Sequence, residues 1–135
     1  MERADLWVKT AAATVAAIWG GLGALVQLLL VLMLIDCATG FLGAAQRREL
    51  SSEISFRGMT KKASALLLVG AAAAIETYAG DLVGGLPLDE AVAGFYCAHE
   101  GLSILENAVG AGLPVSQVLR DVLAKLSPDV NPKGT

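Results

Sequence analysis

Between Thr10 and Ile35 the chain carries no charged side chain, a run of 26 residues, and beyond Asp36 the run resumes as far as Gln46. A helix that crosses the roughly 30 Å hydrocarbon core of a bilayer needs about 20 apolar residues. This stretch therefore predicts a chain that is integral to a membrane. It is longer than the apolar part of a cleaved leader, about 7–15 residues, and the segment before it, MERADLWVK, mixes acids with bases. Composition agrees. Charged residues make up 17%, against about a quarter in a soluble domain. A length of 135 residues fits one domain, read here as a single membrane domain over 1–135. A net charge of −3 gives no sign of a nucleic-acid partner. Cys37 and Cys97 lie inside apolar runs, with no metal-ligand spacing around them, and read as small hydrophobes.

The run from Thr10 to Ala45 would be about 54 Å long as one helix, more than a bilayer core can hold. WGGLG, from Trp19 to Gly23, is the place to break it, because paired glycines weaken a helix and favour a turn. The fold expected is all-α, with three to four hydrophobic helices at about residues 5–19, 24–46, 63–83 and 90–110. The first is short for a span, and Trp7 and Trp19 would suit the interface. After Gly112–Pro114, the stretch VSQVLRDVLAKL sets Val115, Val118, Leu119, Val122, Leu123 and Leu126 on one side, a short amphipathic helix within the C-terminal piece 112–135.

Residues 46–62 read as a polar connector in which Arg47, Arg48, Arg57, Lys61 and Lys62 outweigh Glu49 and Glu53. The positive-inside rule makes this a basic cytoplasmic loop. The connector before residue 90 holds Asp81 and Asp89 and no base, as suits the opposite side. The second, third and fourth segments then run inward, outward and inward, which leaves the C-terminus in the cytoplasm.

Acids inside these segments ask for an explanation. On a helical wheel, Tyr96, His99, Glu100, Ser103, Glu106 and Asn107 fall within an arc of about 120°, with apolar residues around the rest. Such a polar seam lies at the membrane surface, packs against neighbouring helices, or faces water in an assembled pore. The last two are compatible as two states of one protein, since intramembrane acids face protein or a water-filled cavity. In the second segment Asp36, Gly40, Gly43 and Arg47 form one stripe, and in the third Glu76 and Gly80 share a face with Ala72 and Ala73. Small residues on such faces let backbones approach closely. Each longer segment thus offers a contact face that carries an acid, a pattern suited to self-assembly in a lipid bilayer. Nothing points to catalysis or a cofactor. There is one histidine, no nucleophile set, and GGLGAL lacks the lysine of a nucleotide loop.

Three elements carry a family resemblance: Ile35, Asp36, Thr39 and Gly40; Ser51, Ser52, Phe56, Gly58, Lys61 and Lys62; and Glu100, Ser103–Asn107 and Gly112–Pro114. Together they make about residues 30–126 resemble the toxin-secretion/phage-lysis holin family. Cys37, Cys97 and His99 stand where other residues are commoner. The resemblance implies a homo-oligomer in the bacterial cytoplasmic membrane. It would permeabilise that membrane and be coupled in function to an endolysin or a secreted toxin. Before assembly Asp36, Glu76, Glu100 and Glu106 are expected to be neutral or internally paired, because burial disfavours charge. Two other functions share the same general features. A small proton-coupled multidrug transporter would need an aromatic-lined cavity, and a non-conducting anchor subunit would not conduct at all.

Overall fold

The structure, a computed structural model, describes residues 2–126. The tail 127–135, the end of the expected C-terminal piece, lies outside the described residues. Among the described residues the chain is all-helical: α1 (Glu2–Gly21), α2 (Ala24–Arg47), α3 (Ser52–Ala79), α4 (Leu88–Gly110) and α5 (Gln117–Leu126). Two of these, α2 and α3, are long and apolar enough to cross a membrane. The expected break falls at Leu22 and Gly23, between α1 and α2.

Two expected boundaries need correction. The first helix is not a short piece but 20 residues long, about 30 Å; MERADLWVK is polar, yet nothing in it stops a helix. Residues 46–62 are not a loop either. Only Arg48–Ser51 separate α2 from α3, and α3 runs for 28 residues from Ser52. That segment is polar but holds no proline and a single glycine, so the helix continues through it. The turn itself is made at Arg48, at φ 58, whose N–H closes onto the carbonyls of Ala44 and Ala45.

α4 is the central element and packs against both α2 and α3. Contacts fix the directions. The Cys97 thiol lies 3.5 Å from the Leu25 carbonyl near the start of α2, and Asn107 bonds to Asp36 further along. α2 and α4 are therefore parallel. Lys62, early in α3, meets Glu100, late in α4, while Glu76, late in α3, accepts the N–H of Asp89 at 3.3 Å. α3 is therefore antiparallel to both. Glu76 satisfies one of the backbone donors that the first turn of α4 leaves open.

The core sets small side chains of α3 and α4 against larger ones of α2. Leu29, Met33, Ala65, Val69, Ala93 and Cys97 form it, with Leu25, Leu66, Val92 and Tyr96 against its edge. The larger apolar groups point outward, among them Leu34, Phe41, Leu67, Tyr78 and Phe95. An apolar surface this extensive is not that of a water-soluble monomer, and the small core residues of α3 and α4 let helices pack closely, as they do in lipid. α1 is exposed along its length. Cys97 is buried as expected, but Cys37 is exposed on α2.

Candidate functional site: a charged cluster between three helices

The most polar point of the bundle lies where α2, α3 and α4 meet. On α3, Lys62, Ala65, Val69, Ala72 and Glu76 recur at helical spacing, and Ala65, Val69 and Ala72 are the buried residues of that helix. Lys62 is thus one step further back on the core-facing side. Its ammonium group donates to Asp36 Oδ2 at 2.7 Å and to a carboxylate oxygen of Glu100. The three side chains are only 15%, 12% and 5% exposed. The other Asp36 oxygen, Oδ1, accepts the Asn107 side-chain amide at 2.9 Å, and the same amide nitrogen lies 3.2 Å from Thr39 Oγ.

This arrangement obeys the chemistry that buried charge demands. An ammonium has three donors and no acceptor, and here two donors meet carboxylates. Both oxygens of Asp36 are engaged, one by a cation and one by an amide. Among the described residues no buried side-chain nitrogen or oxygen lacks a partner. A charge at this depth is tolerated when paired and hydrogen-bonded and is very costly otherwise. The cluster therefore ties α3 to α2 and α4 by polar bonds, beside the apolar core.

Lys62 corrects a sequence-based expectation: it is not part of a solvated loop but the bridge of the cluster. The rest of the basic set stays at the surface. Arg47 pairs with Glu49 at 2.8 Å, Arg57 lies 3.7 Å from Glu53, and Arg48 and Lys61 are exposed.

The expected seam of α4 divides. Glu100 and Asn107 enter the cluster, and Ser103 lines the groove beside it. Tyr96 packs at the core edge, its ring 5.2 Å from that of Phe95 in an edge-on arrangement. Glu106 is half-buried further round the helix, and His99 is exposed. The groove, about 510 Å³, lies between α2 and α3 and is bordered by the connector; Asp36, Gly40, Arg47, Lys62, Ser103 and Asn107 are among its walls.

The glycines act locally. A Cβ at Gly40 would stand 3.5 Å from Asn107 Nδ2, so α2 and α4 approach closely at the cluster. Gly43 is buried, and a Cβ there would lie 3.3 Å from Arg47 Nη1. At Gly80 a Cβ would fall 2.6 Å from the Glu76 carbonyl oxygen, a requirement of the end of α3 rather than of a contact between helices. Gly40→Ala should be neutral or slightly stabilising, since 3.5 Å is ordinary contact and alanine favours a helix by up to about 1 kcal/mol. Gly40→Leu should cost about 1–3 kcal/mol by forcing α2 from α4. Thermal unfolding of the two variants in detergent reads the difference.

The model of the bacteriophage holin family matches residues 13–128. A protein named "Probable holin" from Bacillus phage phi105 is 37% identical over 107 residues, 79% of this chain and 77% of its own length. An uncharacterized protein of Listeria monocytogenes is 36% identical over 78% of this chain and 74% of its own. One of Clostridium perfringens is 34% identical over 73% and 72%. No solved structure matches the chain. Asp36 and Thr39, Lys62, and Glu100 and Asn107 come from the three separate sequence elements of the holin resemblance, one from each helix, and they meet in one cluster. The chain belongs to the bacteriophage holin family.

Proposed function

We propose that this protein oligomerises in the bacterial cytoplasmic membrane and permeabilises it, so that a murein hydrolase or a secreted toxin reaches the outside. The observation that carries the reading is the bridge from Lys62 to Asp36 and Glu100, inside a bundle whose outer surface is apolar. Such a protomer disperses in lipid because its charges are satisfied internally. It also stores the polar groups that a water-filled lesion needs. When α3 parts from α2 and α4, Lys62 leaves Asp36 and Glu100, and the ammonium and the two carboxylates then require water or the polar groups of another protomer.

The Arg48–Ser51 connector and the basic residues of the helices on either side of it, Arg47, Arg57 and Lys61, are on the cytoplasmic side in this reading. α2 and α4 are parallel, so the C-terminus lies there too, in a multi-pass topology. The activity is physical rather than catalytic: a change in which surfaces meet.

Controlled expression in a bacterium tests the proposal. Growth should stop abruptly after a delay, with loss of membrane potential, and the chain should restore lysis to a phage that lacks its holin. Continued growth with the potential intact would reject it. Drug resistance without depolarisation would instead indicate a transporter.

A further inference from the structure

α5 takes no part in the cluster, and its sidedness is sharp. Val118 and Val122 are 72% and 43% exposed, and Leu119 beside them is exposed as well. The three lie within an arc of about 100°. The polar positions are occupied otherwise: Gln117 donates to Asp121 at 2.9 Å, and Arg120 turns back to the Val115 carbonyl at 3.4 Å. α5 is 10 residues long, and a helix shorter than about 12–15 residues is marginal by itself in water. Its apolar face needs a surface to lie on.

Position identifies that surface. α4 ends at Gly110, where a Cβ would stand 3.8 Å from Arg47 Nη1 at the end of α2. The two parallel helices thus finish at one level, beside the Arg48–Ser51 connector. The chain then turns through Gly112, at φ 75, and Pro114 into α5. Exposed cations lie near this level, Arg48 in the connector and Arg57 in the early turns of α3, and Lys125 adds another on α5 itself. An amphipathic helix with an apolar face and nearby cations, at the end of a membrane segment, has the chemistry of an interfacial helix on anionic lipid.

We infer that α5 lies in the bilayer interface on the side of the Arg48–Ser51 connector, with Val118, Leu119 and Val122 in the acyl boundary and anionic phospholipid headgroups beside Lys125, Arg48 and Arg57. This rests on the membrane reading above, and the test separates the two.

The full chain, with Cys37→Ala and Cys97→Ala, is given one cysteine by Val118→Cys, Asp121→Cys or Leu67→Cys. Each variant is labelled with an environment-sensitive fluorophore and reconstituted in phosphatidylglycerol/phosphatidylethanolamine vesicles that carry shallow or deep spin-labelled lipid. Leu67 is an exposed residue of α3 and reports the span. Shallow quenching should be several-fold greater at 118 than at 121, and it should fall in vesicles of phosphatidylcholine alone. Equal quenching at 118 and 121 overturns the inference, and quenching unchanged in phosphatidylcholine overturns the part played by anionic lipid. Self-quenching at 118 between copies, without quenching by lipid, overturns it in favour of a second copy. Quenching at 67 with none at 118 sinks this inference but leaves the membrane reading standing; absence at both positions sinks both.

Discussion

Lys62→Met should be the most damaging single substitution in the bundle. It keeps the length and apolar stem of the side chain but leaves the Asp36 and Glu100 carboxylates beside each other without their shared cation. Removing one partner of a buried ion pair costs roughly 3–5 kcal/mol, mainly because the remaining charge is uncompensated. Here one cation serves two acids, so the upper part of that range is expected. Lys61→Met, one residue away and exposed, should change stability by no more than about 0.5 kcal/mol. Thermal unfolding in detergent compares the two. A further variant tests the cause: Lys62→Met with Asp36→Asn and Glu100→Gln removes every charge together and should recover most of the lost stability. If Lys62→Met melts like the parent, the bridge does not hold α3 in place. In cells the same substitution should bring lysis forward, since the bond that restrains α3 is gone.

The contrast between Lys61 and Lys62 shows what was legible in the sequence and what was not. The charge-free run, the glycine break after Trp19 and the acid-bearing faces follow from composition and helical period; α2 and α4 lie close to the expected places, whereas α1 and α3 begin earlier. Charge alone, however, puts both lysines in a solvated connector. What separates them is register. The face that holds Ala72 and Glu76 passes back through Val69 and Ala65 to Lys62, and Lys61 lies about 100° away. That signal is available only once α3 is known to continue through a polar segment, which sequence polarity argues against. The seam of α4 has the same limit. Its wheel gathers six polar residues on one side but cannot rank them, because partners on two other helices decide which are used. Glu100 and Asn107 meet Lys62 and Asp36, whereas Tyr96 meets the apolar core and His99 faces outward.

Asn107→Leu and Glu100→Leu should shift the time of lysis, or abolish it, without preventing insertion. Leucine has the branching of asparagine and a larger volume, so at position 107 the change removes hydrogen bonds and leaves no cavity. Asp36 Oδ1 loses its amide donor at 2.9 Å and Thr39 loses the contact at 3.2 Å. A buried acceptor left without a partner costs about 1–3 kcal/mol, borne at the α2–α4 contact. Glu100→Leu acts on the other contact. Lys62 keeps Asp36 and loses its acceptor on α4, so α3 is held to α2 alone. Both variants keep the apolar outer surface and gain an apolar group, so membrane insertion should be equal to that of the parent in fractionated cells. The two should differ in coupling. Asn107→Leu added to Lys62→Met should cost less than the sum of the single effects, because both act through Asp36, and residues that share a partner are not additive. Parental lysis timing in both Asn107→Leu and Glu100→Leu would show that the cluster only packs the protomer and takes no part in the opening of the membrane.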